Sequence, residues 1–206
     1  MKRLELNILR AGVLLLLVLT GCMSLPAGLS APTHFYRLEV PSHPASDSAA
    51  SAQPSVARVL VKVQVTDSLL GRFMIVARSD YELHYQDTER WAEPISHGLS
   101  RLIAAELSPY YAAAESTPTS SGFSPDYRVE VTVDKLWGTA KGEVVLSAHW
   151  SVNDSRDNPI VFGRREITQK GWDTGDYKDL AVRISRMSAD LSLAINDSLA
   201  EAAQKK

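Results

Sequence analysis

Residues 127–152, YRVEVTVDKLWGTAKGEVVLSAHWSV, alternate apolar and polar side chains in two runs, one on each side of a glycine-containing centre. Successive side chains of a β-strand point to opposite faces, so each run predicts a strand with one buried face. The short segment from Gly138 to Gly142 predicts a hairpin that joins the two strands. These residues therefore predict an antiparallel pair of strands.

Segments on both sides of this hairpin predict further strands. Residues 57–65 alternate strictly, with four valines on one face, as is typical of a half-buried strand. Other strands are predicted at residues 34–40, 73–77, 81–86 and 160–169. The first of these is expected to be an edge strand docked onto the rest. A turn is predicted at residues 87–90 and a loop at residues 112–125.

Two helices are predicted from apolar residues that recur at helical spacing. The first begins near Pro94 and ends before Pro109, because proline fits the first turn of a helix but not its interior. The second begins after Asp176, a residue type that caps helix N-termini. Their buried stripes are expected at Ile95, Leu99, Leu102 and Ile103, and at Leu180, Ile184, Met187, Leu191 and Ile195. The sequence therefore predicts an α+β fold, a single domain in which two helices pack on a mainly antiparallel sheet.

The N-terminal segment has the order of a secretory signal peptide. Basic residues precede an apolar run at residues 11–19, and small residues follow it. The run is too short to span a bilayer, which requires about 20 apolar residues. Leu19-Thr20-Gly21-Cys22 resembles the bacterial lipobox, so we predict that residues 1–21 are removed and that Cys22 carries covalent lipid, palmitate included. The alternative is an ordinary signal peptide with a cysteine near its cleavage site.

Two stretches after Cys22 lack the apolar periodicity of a folded segment. Residues 22–33 are small and contain proline, and residues 41–56 are rich in Pro, Ser and Ala. We predict a lipidated tether in the first and a flexible linker in the second, within a single domain of residues 34–206. Met23 stands where similar lipoproteins kept at the inner membrane carry aspartate. The expected location is therefore the periplasmic face of the outer membrane of a Gram-negative bacterium.

The charge of the mature chain excludes one class of partner. Without residues 1–21, 185 residues remain, with 19 Lys and Arg against 23 Asp and Glu, or a net charge of −4. Proteins that bind nucleic acids usually carry a strongly basic footprint. We therefore expect no nucleic-acid partner, and anionic lipid headgroups are not an obvious electrostatic partner either.

The sequence contains no recognisable catalytic or metal-binding constellation. No Gly-x-Ser-x-Gly motif is present, and no two of the five histidines have the spacing of a helical zinc site. Asp154, Asp157 and Asn158 could bind calcium, but they fit a turn better. Asp173 and Asp176 could act as an acid–base pair, but a helix start also favours acids. We predict no enzyme activity, no catalytic residue, no metal site and no cofactor besides the lipid.

Four short segments carry a resemblance to a known family. They are FYRL at 35–38, LLGRFMIVAR at 69–78, YELHYQD at 81–87 and ERWAEP at 89–94. Behind a lipidated cysteine, and at about this spacing, they resemble the PqiC-type family of ABC-transport auxiliary lipoproteins. The likeness covers nearly the whole mature chain. A tyrosine is more usual in that family at the position of Phe73.

The resemblance implies a docking and assembly subunit of a lipid transport system that supports envelope integrity. The implied partners are a periplasmic tunnel protein of MCE domains and its inner-membrane permease, and the subunit is expected to form a homo-oligomeric ring. Arginine and large aromatic residues are enriched at interface hot spots. The expected surface or subunit contacts are therefore Arg72, Phe73, Met74, Arg90 and Trp91.

Alternatives remain at this point. Trp91 could instead close the end of the core beneath Arg90, and Trp150, on an apolar strand face, is expected in the core. The chain could also be a periplasmic lipid-binding carrier, a structural lipoprotein of another envelope complex or a periplasmic enzyme.

Overall fold

The computed structural model describes residues 31–41, 55–118 and 122–205. The predicted signal peptide, the lipid site at Cys22 and most of the tether and linker lie outside these residues. Residues 33–206 form one compact unit. The strands are β1 His34–Tyr36, β2 Ser55–Val65, β3 Phe73–Ser79, β4 Glu82–Trp91, β5 Tyr111–Glu115, β6 Tyr127–Thr139, β7 Glu143–Asp154 and β8 Pro159–Lys170, and the helices are α1 Ile95–Leu107 and α2 Tyr177–Gln204.

All eight strands form one sheet around β6. On one side, β6 pairs along its length with β7, which pairs with β8. On its other side, the first half of β6 pairs with β2 and its end pairs with β3. The sheet then continues from β3 to β4 and β1, and from β2 to β5. Strands β1, β5 and β8 therefore lie at its edges.

The predicted α+β class is confirmed. The antiparallel pairs β3–β4, β6–β7 and β7–β8 contain most of the paired residues, while β1–β4, β2–β5, β2–β6 and β3–β6 are parallel. The helices contact each other and cover one face of the sheet. Their predicted stripes are buried, and each of Leu180, Ile184, Met187, Leu191 and Ile195 is at most 1% exposed. Trp150 lies in the core, as predicted.

The start of α2 matches its predicted cap. The backbone N–H of Asp179 donates to the side chain of Asp176 at 2.9 Å, which satisfies one of the free N–H groups of the first helical turn. Asp176 therefore acts as the helix cap. Within the described residues, no helix is both long and apolar enough to cross a bilayer.

Two predicted connections are strands instead. The expected turn at residues 87–90 belongs to β4, because β1 pairs with residues 89–91 and the N–H of Trp91 donates to the carbonyl of Arg72 at 2.6 Å. The expected loop at 112–125 begins with β5, which pairs in parallel with β2. In both cases the stabilising partner is distant in sequence.

Residues 34–39, called the strap below, join the edge of the sheet to both helices. β1 pairs with β4, so the predicted edge strand is confirmed over three residues. After it, the side chain of Leu38 is buried, and its carbonyl accepts from Arg101 of α1 at 2.8 Å. The N–H of Glu39 donates to the hydroxyl of Ser185 in α2 at 3.3 Å. The strap thus connects three elements of the fold.

Candidate docking surface

Three side chains lie in one row on the sheet face opposite the helices. Phe35 of β1 and Phe73 of β3 are both direct partners of Arg90 in β4. Directly paired residues project from the same face of a sheet. Their chain neighbours Met74 and Trp91 project from the other face, into the core.

Aromatic contacts hold this row together. The guanidinium carbon of Arg90 lies 4.7 Å from the centre of the Phe73 ring, a cation–π geometry. The rings of Phe73 and Tyr85 pack edge to face, with their centres 6.2 Å apart. The Tyr85 hydroxyl donates to the carbonyl of Ser68 at 3.0 Å, two residues before the exposed Leu70. We call Phe35, Leu70, Arg72, Phe73, Tyr85 and Arg90 the aromatic patch.

The two arginines of the patch bind backbone carbonyls. Arg90 Nε donates to the carbonyl of Asp87 at 3.1 Å, and Arg72 donates to that of Ala92 at 3.3 Å. None of the ion pairs within the described residues includes either arginine.

On the opposite face of the same strands, Glu89 fixes β1 in place. Its carboxylate lies 2.9 Å from His34 Nδ1 and accepts from the Tyr36 hydroxyl at 2.7 Å. Burial alone would raise the pKa of Glu89, but the hydrogen bonds from His34 and Tyr36 outweigh it and lower that pKa. Burial, together with Glu89, raises the pKa of Tyr36 to about 12.

The predicted contact residues divide between the two faces. Arg72, Phe73 and Arg90 are at least partly exposed, and their contact role stays a prediction. Met74 is 0% and Trp91 5% exposed, so the prediction that these two lie at the surface is wrong. Strand alternation turns both side chains toward the helices, where Trp91 packs in the core, as the alternative interpretation expected.

Sequence reasoning missed Phe35, Leu70 and Tyr85 as members of this surface. Phe35 and Leu70 are each 61% exposed and Tyr85 is 39% exposed. A large apolar residue in a short predicted strand is usually expected to be buried, so the sequence did not indicate that these side chains are exposed. The register that aligns Phe35 with Arg90 and Phe73 depends on β1 returning to β4 from 55 residues away, which the sequence pattern does not encode.

A groove also lies on the open sheet face, between the β3–β4 turn and strands β6 to β8. Its volume is about 670 Å³. The lining includes Leu83, Lys135, Trp137, Val145, Glu166 and Thr168. Lys135 and Glu166 form an ion pair at 3.6 Å, so the groove offers both apolar and charged contacts.

The candidate calcium ligands form a turn. The carboxylate of Asp154 accepts from the backbone N–H groups of Arg156 at 2.8 Å and Asn158 at 2.9 Å. Hydrogen bonds from Asn158 lower the pKa of Asp154. In residues 31–41, 55–118 and 122–205, no group of three His, Cys, Asp or Glu side chains is arranged as a metal site.

The fold and this surface define the class of the protein, a single-sheet α+β module with helices on one face and an exposed aromatic patch on the other. The chain belongs to the family of ABC-type transport auxiliary lipoprotein components, whose family model matches residues 36–196. The predicted family is thereby confirmed.

Solved structures share this fold. One uncharacterized protein is 22% identical, with 82% of this chain and 99% of that chain covered and a TM-score of 0.65. A Xanthomonas campestris protein of the family DUF330 is 15% identical, with 84% and 98% covered and a TM-score of 0.65. A PelC dodecamer from Paraburkholderia phytofirmans is 15% identical over 68% of this chain and 94% of that chain. Its TM-score of 0.35 is too low to establish a common fold. Among curated proteins, none matches this chain.

Proposed function

We propose that this chain is a non-enzymatic docking and assembly subunit of an ABC-type lipid transport system that spans the periplasm and supports envelope integrity. The observation that carries the proposal is the match to the auxiliary-lipoprotein family, which covers the body from residue 36 to residue 196. The aromatic patch supports it, because exposed aromatic and arginine side chains are typical of binding surfaces.

Cys22 attaches the body to the periplasmic face of the outer membrane. The sequence around Cys22 supports this part of the proposal, since it resembles a lipobox, and so does Met23 after it. Each buried CH₂ of an acyl chain contributes about 0.8 kcal/mol, so several chains, palmitate among them, give durable attachment.

The proposed partners are an MCE-domain periplasmic tunnel protein, its inner-membrane permease and further copies of this chain. A homo-oligomeric ring requires heterologous contacts, in which two different surfaces of the subunit meet and the rotation closes. The exposed edges β1, β5 and β8 and the aromatic patch are the surfaces from which such contacts can be built.

Recovery of partners from membranes tests this function. The tagged full chain and its matched control, the Cys22→Ala variant with a general secretory signal peptide, are both purified from whole cells lysed in mild detergent, and the co-purifying proteins are identified by mass spectrometry. We expect MCE-domain and permease proteins with the lipidated chain and fewer with the variant. Recovery of a different envelope complex, without these proteins, would instead identify a structural lipoprotein.

The groove on the open sheet face favours a second candidate, a lipid-binding carrier. Carrier function predicts that the Cys22→Ala protein, purified without detergent, contains phospholipid detectable by mass spectrometry. Trp137→Ser should then reduce the bound lipid, while Phe162→Ser, outside the groove on the same sheet face, should leave it unchanged. Lipid-free protein would exclude the carrier.

A further inference from the structure

The aromatic patch lies beside the point at which the anchored segment enters the body. The compact unit begins at Thr33, and Phe35 of the patch is in the first strand. Thr33 follows Cys22 by only 11 positions. At about 3.3–3.6 Å per extended residue, this segment spans at most roughly 40 Å. Thr33, two residues before Phe35 of the patch, therefore lies no more than roughly 40 Å from Cys22.

The side chains of the patch have the chemistry of a membrane interface. Phe35 and Leu70 expose most of their surface. Exposed apolar surface is unfavourable in water, and its burial at the headgroup and acyl-chain boundary of a bilayer is favourable. Tyr85 presents a ring with a polar tip, and such side chains favour the boundary between headgroups and acyl chains.

The charged side chains within the patch are both arginines, and acidic side chains lie around it. Arg72 and Arg90 donate hydrogen bonds to backbone carbonyls, and Arg90 also lies over the Phe73 ring. A guanidinium pairs well with phosphate oxygens. Asp67 and Asp87 are exposed nearby, while Glu89 projects from the opposite face and binds His34 and Tyr36. The net negative charge of the mature chain does not describe this local surface. Here the attraction to the bilayer is chiefly apolar, and the two arginines pair with lipid phosphates.

We infer that the aromatic patch docks on the headgroup layer of the membrane that holds the lipid anchor. The inference rests on the proposed lipidation of Cys22. A second copy of the chain is the competing occupant, but it is held by its own lipid and must diffuse to the patch, whereas the tether keeps the bilayer at a high effective concentration beside Phe35. Docking orients the body, with β1 at the membrane and the opposite edge strand, β8, directed away from it.

Single cysteines test this orientation directly. Cys22 is the only cysteine of the chain, so in the lipidated protein an added cysteine is the only free thiol. Phe35→Cys and Tyr85→Cys place a fluorophore in the patch. Phe162→Cys is the matched control, because Phe162 is also an exposed phenylalanine, 74% exposed, and lies on the same sheet face but in the opposite edge strand.

The labelled lipidated chains are reconstituted into vesicles of phosphatidylethanolamine and phosphatidylglycerol that contain a spin-labelled phospholipid as quencher. We expect severalfold stronger quenching at positions 35 and 85 than at 162. The double variant Phe73→Ser and Leu70→Ser should reduce the quenching at position 35 without releasing the protein from the vesicles.

Each contrary result has a distinct meaning. Equal quenching at 35 and 162, with protein that floats with the vesicles, overturns the inference and leaves the anchor intact. A fluorescence change at 35 that depends on protein density but not on the quencher assigns the patch to a second copy and also overturns it. A native chain that does not float with vesicles overturns the lipid anchor itself.

Discussion

Trp150 packs flat against β8 because its direct partner in that strand is a glycine. A Cβ added to Gly163 would lie 2.3 Å from two carbons of the Trp150 ring. On the helix side, Trp150 Nε1 donates to the hydroxyl of Ser198 in α2 at 3.0 Å. One side chain thus connects the sheet to a helix through both a close approach and a hydrogen bond.

Gly163→Ala should therefore destabilise the fold. The added methyl group must displace a buried ring, and such overpacking costs about 1–3 kcal/mol. The free energy of unfolding, measured by urea denaturation, gives the cost. Gly122→Ala is the control, because a Cβ there meets nothing within 4 Å, and it should change the stability by less than about 0.5 kcal/mol. Equal effects of the two substitutions would contradict this packing.

Glu89 makes the attachment of β1 dependent on pH. Because its pKa is lowered in the folded state, the charged carboxylate stabilises the fold above the ordinary glutamate pKa of about 4.3. That contribution is lost as the pH falls below this value toward the folded pKa.

Glu89→Gln should reveal this dependence. Near pH 6, the loss of two hydrogen bonds to a charged group should lower the free energy of unfolding by about 1–2 kcal/mol, and the difference from the unmodified protein should shrink near pH 3. Urea denaturation at both pH values measures it. Glu82→Gln, an exposed partner of Arg78 at 3.4 Å, should have little effect at either pH. A difference of the same size at both would refute the role of the charge.

The strap connects the N-terminal segment, which we propose is anchored through Cys22, to the core. Leu38 is 1% exposed and packs beside Gly98 of α1. The carbonyl and N–H groups around it bind both helices. A pull through the proposed tether would therefore act first on residues that are bound to three elements.

Leu38→Ala should weaken the whole domain rather than the N-terminus alone. Removing a fully buried leucine side chain typically costs about 2–5 kcal/mol, which is read from the urea midpoint. Val40→Ala, two residues on and 43% exposed, should cost less than about 0.5 kcal/mol. A Leu38→Ala protein as stable as the Val40→Ala protein would show that the strap does not contribute to the core.

The elements that could be predicted are those with a strong local pattern. Alternation fixed β2, β6 and β7, and helical spacing with an N-cap fixed α2. Strand β5 is mostly alanine and shows no alternation of apolar and polar residues, and the polar end of β4 has the composition of a turn. Both are strands because β2 and β1 supply their hydrogen bonds, and such distant pairing leaves no trace in local sequence.

The candidate surface was predictable only in part, for the same reason. Arg72, Phe73 and Arg90 lie in segments with a family resemblance, so the residue types pointed to them. Successive side chains of a strand point to opposite faces, and the strand register decides which face is buried. In this register Met74 and Trp91 lie in the core. The contribution of Phe35 required the pairing of β1 with β4.

The whole molecule combines a folded body with the lipid anchor that we propose outside it. The body from His34 onward contains the core, and Cys22 precedes it by 12 residues. The anchor should therefore be removable without loss of the fold.

Cys22→Ala, expressed with a general secretory signal peptide in place of residues 1–21, should give a soluble and folded periplasmic protein. The core of the described residues begins at Leu38, so the urea midpoint should equal that of the delipidated native body. Cell fractionation and circular dichroism check both properties. A variant that is unfolded, or that stays with the membranes, would show that anchor and body are not separable.

The central claim is that lipid on Cys22 holds a docking module at the cell envelope. Mass spectrometry of the native protein purified from membranes tests it most directly. We predict a chain that begins at Cys22 and carries acyl groups on that residue. An unmodified thiol at Cys22, or a mature chain that retains residues 1–21, would contradict it.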